Sequence, residues 1–562
     1  MTILAYCKTP FVLLLSLFGL SFASAWGATG QLDLTVVDKD TGKPVACRMH
    51  LVGPNNNKPR KVEKAPFWQD HFVFPGHILL KLPLGNYSFV IERGLEYLDQ
   101  NGRFSFEAFA DDSKQIELHR FVDMSAEGWW SGDLDVRRPV ADIELLMSAD
   151  DLHVAEVISW PNLKKGTGSE RSETPAPISI KQTLVRFDGN RYYNLMAGSV
   201  TRPGGEVLIF HLPVPLKTPD EQGEYPPLVK YINDAKNQSP LPLGTSQKSP
   251  LPLGTSQKSP LPLGTSLKSP LPLGEGQGEG KVDFWVDVAR PFYWDLPLLI
   301  ALGQVDSIQI AHGDICRDTV IPHETGGKPR DKVHYPNPFG NPLWSQFIYF
   351  QVLECGLRIP PSAGSGSGVA PNPVGYNRMY VHVDGNFTYE KWWQSFRAGA
   401  VVITNGPLMR PTVDGELPGH VFQADAGSSF DFEIGLTLST RDPISYLEII
   451  KNGQVDQSVR FDEYAKSGKL PNLHFDRSGW FLLRAITDVG KTYRFAMTAP
   501  YYVEIGYKPR ISKKAAQFFL NWVYERAKQI HLDDAQQQRE LIDLHRKARD
   551  FWQEIISKSN AE

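Results

Sequence analysis

What most narrows the folds open to this chain is a change of periodicity at about residue 123. From there to about 410, short apolar strands such as VAEVISW, EVLIFHL, KVDFWVDV and SIQIAHG alternate with helical patterns such as ADIELLMSADD and PLWSQFIYFQVLECG. Alternation of this kind predicts a β/α barrel or a layered α/β domain, because each helix covers the apolar face of the strands it connects. On either side the period is that of antiparallel sheets. QLDLTVV at 31–37 and LLKLPLGNYSFVIE at 79–92 alternate around the turn signals Asp40-Thr41-Gly42 and Leu84-Gly85-Asn86, and predict a small sandwich. FDFEIGLTL, YLEIIKNG, GWFLLRAITD and FAMTAPYYVEI, between 428 and 505, predict a second one. The tail at 512–557 carries Phe518, Phe519, Trp522, Val523 and then Leu541, Leu544, Phe551, Trp552 at helical spacing, broken near His531–Asp534; it reads as a packed helical hairpin.

At 562 residues the chain exceeds what one core organises, so the expected class is multidomain α/β plus β. The expected units are 26–122, a sandwich; 123–410, the barrel; 411–508, a sandwich; and 509–562, the helical tail. Residues 1–25 read as a cleaved secretory signal: Lys8, the apolar run FVLLLSLFGL at 11–20, and Ala23-Ser24-Ala25. That run is short for a membrane span and none follows, so the mature protein is expected to be secreted or periplasmic, with no stable membrane insertion. A net charge of −4 and the lack of a basic run argue against a nucleic-acid partner. Without Cys7, three cysteines remain, Cys47, Cys316 and Cys355; none has a CxxC partner, and buried thiols are expected.

Within the central region a ten-residue unit, SPLPLGTSQK, repeats in tandem from Ser239, filling 239–280. Two prolines and a glycine per period deny it both helix hydrogen bonds and a packed face, so a loop insertion is expected. It falls between a helical pattern and a strand, which in a barrel is the face opposite the site.

Two resemblances follow. The order Val36-x-Asp38-x-x-Thr41-Gly42-x-Pro44, with Leu82-Pro83-x-Gly85-x-Tyr87 later, resembles the carboxypeptidase regulatory-like domain, an accessory module. WWSGDLDVRRPVADIELLMSADDLHVAEVISWPN, GLRIPPSAGSGSGVAPNPVGYNRMYVHVDG, YEKWWQSFRAGAVVITNGPLMRP and AAQFFLNWVYERAKQIHLDD resemble the PHP (polymerase and histidinol phosphatase) superfamily, in its CehA/McbA-like metallohydrolase branch. That likeness implies a distorted β/α barrel whose strand ends bind one to three divalent metals, which activate water for ester or phosphoester hydrolysis.

The motif that would carry this chemistry is altered at each position. Where the family has G-D-L-H-x-H, this chain keeps Gly132, Asp133 and Leu134 but has Asp135 and Arg137. Ser159-Trp160-Pro161-Asn162 stands for T-D-H-N, Ala289-Arg290-Pro291 for A-H-P, and Gly364-Ser365-Gly366-Ser367-Gly368 for G-S-D-x-H; no glutamate occupies the position near Gly198. Arginine stays protonated and cannot be a ligand. Two unit charges ~4 Å apart at an effective dielectric of ~20 interact by about 4 kcal/mol, and a dication roughly doubles that repulsion. No metal cofactor is therefore expected.

The replacements have two readings. Arg137, Arg138, Arg290 and Arg317, with Trp160 and Trp294 as stacking surfaces beside Trp130 and Trp285, would form a mouth for an anionic small molecule or a glycan, acidic or sulfated. The same arginines could instead pair with Asp133, Asp135, Asp287 and Asp295 as structural ion pairs. A third reading keeps catalysis. IAHGDICRDTVIPHET supplies His312, Asp314, Asp318, His323 and Glu324. With Asp133 and Asp135 these could hold zinc, manganese or iron in a rearranged site, with Asp135, His312 and Asp314 as the catalytic candidates. His323 is the outermost of the weak metal candidates, and the GSGSG run at 364–368 reads as a flexible loop. His382-Val383-Asp384 reads as a structural pair on a strand, and His153 and His211 as core histidines. No nucleophile elbow, phosphate loop, HExxH or dinucleotide fingerprint is present. The remaining alternative is a scaffold without ligand.

Overall fold

The computed structural model describes residues 29–54, 58–107, 111–161, 183–216, 223–238 and 283–562. The expected signal at 1–25 and the repeat at 239–280 lie outside the described residues. The fold is mixed α/β, with strands in several sheets and eight α-helices among the described residues. No helix among them is long and apolar enough to cross a membrane.

The first unit has two sheets. Thr29–Asp38 is the centre of a three-stranded sheet, antiparallel to His77–Pro83 and parallel to Asp111–Leu118. Its alternate residues Leu32, Leu34 and Val36 are buried, the period of two that the sequence displays. The facing sheet runs Phe67–Trp68, His71–Phe74, Cys47–Val52, Gly85–Glu92, Gln100–Phe106. Cys47, Met49, Leu51, Phe72, Phe74 and Tyr87 fill the space between. The turn after the first strand shows why its motif has that spacing. Asp38 Oδ1 accepts from Thr41 N at 2.8 Å and Thr41 Oγ1 at 2.9 Å, while Gly42 takes φ 67°, a conformation costly for any residue with a Cβ.

The central strands belong to one long curled sheet. Trp129–Val136, Val154–Pro161, Arg191–Arg202, Gly205–Phe210, Trp285–Val288, Ser307–Ala311 and Pro361–Ala363 are neighbours in that order. Gly205–Phe210, Trp285–Val288 and Ser307–Ala311 are buried throughout, so they read as continuous apolar runs covered on both faces. Beyond Pro361–Ala363 the chain returns to the first of these strands: Val136 and Ser367 form a parallel bridge, and Arg137 N donates to Ser367 O at 2.7 Å. The helices Ile143–Ala149, Leu228–Gln238 and Gly340–Glu354 fall between these strands in sequence, over the predicted helical patterns, and Leu296–Ala301 is a fourth that no pattern had marked.

The sheet does not stop there. The first half of Trp129–Val136 also pairs antiparallel with Arg378–His382, and the ladder continues through Val401–Thr404, Phe495–Thr498, Gly479–Thr487, Ile444–Lys451 and Gln454–Arg460. Residues on both sides of position 410 therefore share one hydrogen-bonded sheet, because an unpaired edge at Trp129 would leave a row of buried backbone groups unsatisfied. Leu408–Val413 with Ile434–Ser439, and Phe430–Phe432 with Leu473–Phe475, form small ribbons around a second core that includes Phe432, Phe475 and Phe481.

The tail forms two helices, Lys513–Ala527 and Ala535–Ser557, capped by the side chains of Ser512 and Asp534. Phe519, Trp522 and Trp552 are buried, and Trp552 Nε1 reaches Pro297 O at 3.1 Å. Burying aromatics of this size stabilises by roughly 1.5–3 kcal/mol each, enough to hold the hairpin on the helices Leu296–Ala301 and Gly340–Glu354. The three described cysteines are free and buried.

Candidate functional site

Asp133, Asp135 and Arg137 share a face of one strand and its continuation, two residues apart. Arg137 donates from Nε to Asp135 Oδ1 at 2.6 Å and from Nη2 to Glu206 Oε1 at 2.8 Å. Arg290, at the end of the fourth strand along, contacts Asp314 Oδ1 through Nε at 2.9 Å and Nη2 at 2.8 Å, and Tyr293 OH through Nη1 at 2.9 Å. Its Nη1 also stands 3.8 Å from Glu206 Oε2, so Glu206 lies between the two guanidinium groups. Burial works against the charge on Arg137, and Asp135 and Glu206 outweigh it and keep the group protonated. Burial likewise raises Asp314, and Arg290 overcomes that to hold its carboxylate below the usual range.

Beneath this pair the strands carry a second polar layer. Asp133 accepts from Asp135 N, Ser365 N, Ser365 Oγ and Gly375 N at 2.5–3.0 Å, yet burial still pushes it up to about 6. Asp287 accepts from Ser307 Oγ at 2.5 Å, Ser362 Oγ at 2.6 Å and Gln309 Nε2 at 2.7 Å, and burial pushes it up to about 7. His312 is fully buried, with Nε2 on Ser345 Oγ at 3.0 Å and Nδ1 accepting from Asp314 N at 3.4 Å. That bonding makes Nε2 the protonated nitrogen, and burial lowers the ring to about 4, so it stays neutral.

The run Gly364–Gly368 is a packed wall of this site, which corrects its reading as a flexible loop. A Cβ on Gly364 would meet Asp135 Cβ at 2.7 Å, and one on Gly368, at φ 106°, would meet Arg137 O at 2.0 Å. The glycines are needed for close approach. Asp133, Asp135, Arg137, Arg290, Asp287, His312, Asp314 and this run are thus linked by contacts at one end of the curled sheet.

Other candidates are engaged elsewhere. Arg138 follows Arg137 and so points the opposite way, its guanidinium 4.9 Å from the Trp68 ring centre, where burial pulls it down to about 10. Arg317 is ion-paired with Glu92 of the first unit and with Asp318. Trp294 packs edge-on to Trp522 of the tail, Trp130 stacks on Phe387 at 4.1 Å, and Trp285 packs on Trp393 and Phe396. Trp285 is buried in the core, and Trp130 and Trp294 pack against it. Trp160 is half-buried, its ring where a Gly198 Cβ would stand, 1.9 Å from Cε2. His323 bonds Thr325 Oγ1, Glu324 pairs with Arg330, and Asp295 pairs with Arg526 of the tail. His153 is buried against Ser131 Oγ, and His211 meets Tyr389 OH. His382 ends its strand, and its 3.5 Å contact reaches an exposed Asp384.

Sequence reading missed Glu206. Its signal was available: a carboxylate opening the otherwise apolar strand EVLIF. A metal cluster does not fit the residues present, because two guanidinium groups already hold the carboxylates that would face it, and an added dication would meet their charge. Three carboxylates, Asp135, Glu206 and Asp314, surround two cations. Donor atoms grouped for a metal do occur among the described residues, in the first unit, at His50, Asp70 and His71.

No protein-family model matches this chain, and no curated protein matches it. Among solved structures, the Bacillus anthracis TIE protein is 17% identical over 20% of each chain, with a TM-score of 0.14. The four N-terminal immunoglobulin domains of Dscam1 isoform 4.4 are 9% identical, over 85% of this chain and 98% of that one, with a TM-score of 0.11. The chain therefore spans a fifth of the TIE protein's length, and scores this low carry no argument about fold or function.

Proposed function

We propose that this chain is an exported PHP-like protein of the CehA/McbA type that has exchanged its metal centre for guanidinium groups, and acts by binding instead of hydrolysis. The observation that carries this is the pair of arginines bridged by Glu206, with Arg137 on Asp135 and Arg290 on Asp314. The curl of seven strands that returns from Ser367 to Val136, with the altered motifs meeting at one end, supports the barrel reading. The small N-terminal sandwich, with its Asp38-centred turn, supports the carboxypeptidase regulatory-like reading.

The internal pairing limits the ligand. Carboxylates outnumber cations here, which disfavours a polysulfated chain. Among the described residues Nη1 of Arg137 has no hydrogen-bond partner, which suits one carboxylate or sulfate on a small molecule or sugar, beside Trp160. The test is two measurements on the mature protein after chelator dialysis. Ester and phosphodiester chromogenic substrates should give no turnover with added zinc, manganese or iron. Glucuronate or a monosulfated sugar should bind, with about tenfold loss in Arg137→Lys, while heparin is not retained at physiological salt. Metal-dependent turnover that disappears in His312→Gln would return the chain to the hydrolases.

A further inference from the structure

We infer that His50, Asp70 and His71 form a binding site for one borderline divalent ion, of the zinc, cobalt or nickel class, at the seam between the first unit and the barrel.

His50 lies on the strand Cys47–Val52, His71 opens the neighbouring strand His71–Phe74, and Asp70 stands in the turn just before it. Both rings turn Nδ1 onto one carboxylate, His50 to Asp70 Oδ2 at 2.9 Å and His71 to Asp70 Oδ1 at 3.0 Å. The three donor atoms lie within 4.8 Å of one another. Donors around a tetrahedral zinc stand roughly 3–3.5 Å apart, and the two histidine–carboxylate distances are already near that spacing. Two imidazoles and a carboxylate suit zinc-class ions and give little to calcium or magnesium.

A second observation points the same way. Nε2 of His50 is buried without a hydrogen-bond partner and lies 3.5 Å from Glu92 Oε2. In a neutral ring that donates from Nδ1 to Asp70, the bare Nε2 lone pair would face another carboxylate. With a cation on Nδ1, the proton moves to Nε2 and points at Glu92, which is how ligating histidines are commonly oriented. Glu92 is in turn fixed by Arg48 at 2.7 Å and by Arg317. The side chain of Asp70 is 37% exposed, which leaves one side of the ion open to water or an incoming ligand.

The placement gives the ion work to do. Trp68, two residues before Asp70, donates Nε1 to Ala370 O at 3.0 Å, next to the glycine wall of the barrel site. An ion at Asp70 would therefore brace the hairpin whose indole rests on that wall.

The experiment is metal titration of the full mature chain after chelator dialysis, using zinc for stoichiometry and cobalt for its visible absorption. One equivalent should bind, with a tetrahedral cobalt spectrum, and the melting temperature should rise. His50→Gln and His71→Gln should abolish the spectrum while keeping the metal-free circular dichroism. Glu92→Gln should weaken binding by about 10- to 100-fold. His312→Gln should change nothing. Failure of the wild type to take up an equivalent overturns the site, as does uptake that survives His71→Gln. Uptake lost in His312→Gln instead would place the ion in the barrel and overturn the metal-free reading of that site as well.

Discussion

The Asp135 end of the curled sheet and the first unit each gather donor atoms that could grip a cation, and they differ in what sits between those atoms. At the end of the sheet, guanidinium groups fill the space, so Asp135, Glu206 and Asp314 are already neutralised by Arg137 and Arg290. At His50 and His71, a single carboxylate faces two rings, and the nearby arginines are turned away onto Glu92. Similar ligand chemistry thus leads to opposite expectations, and the position of arginine decides which.

The comparison breaks most easily at Arg137. Its removal strands Asp135 and Glu206 as buried charges, so Arg137→Ala should cost about 3–5 kcal/mol in urea unfolding. If the loss is below ~1 kcal/mol, the pair does not carry the structural role that its buried ion pairs indicate. Arg290 is more accessible, with 18% of its side chain exposed, and Arg290→Ala should cost less, about 1.5–3 kcal/mol by the same measurement. The combined change Asp135→His, Arg137→His, Arg290→His sharpens the contrast from the other side. It places ligands where cations stand, and should convert this end of the sheet from indifferent to zinc-binding by calorimetry.

A comparable pH effect belongs to the buried polar layer beneath the arginines. Burial raises Asp287 from 3.8 to about 7, so the folded state holds this proton more tightly than the unfolded chain does. The stability it contributes is present below about pH 4 and is lost as pH rises to about 7. Asp287→Asn should flatten that part of the profile by up to about 3 kcal/mol between pH 4.5 and 7.5, followed by denaturant midpoints. The smallest effect belongs to the first unit. Without metal, His50→Ala removes one partly buried hydrogen bond and should cost about 1 kcal/mol; with zinc present the cost should grow.

Much of the fold was legible because it rests on local periodicity. The alternating residues of Thr29–Asp38, the strand Ser307–Ala311 and the two tail helices stand where their apolar spacing indicates. The unity of the sheet across position 410 was not legible, since the pairing of Trp129 with His382 joins residues more than two hundred positions apart and leaves no local mark. At the site, Asp135, Arg137, Arg290 and Asp314 could be named from their motifs, while Arg138, Arg317 and Trp294 were drawn in by sequence proximity alone. Strand alternation turned Arg138 outward, and partners from other units, Glu92 and Trp522, engaged the other two.

By itself, then, the sequence determined which stretches are strands and helices, and that Asp133, Asp135 and Arg137 stand at alternate positions of one strand and its continuation, because both are properties of residue type and spacing. Only the tertiary structure decided which charge each arginine meets, and that His50 comes to face Asp70 and His71. Those encounters depend on strand register and sheet curvature, and Coulomb and hydrogen-bond energies change over distances of an ångström that spacing along a chain does not encode.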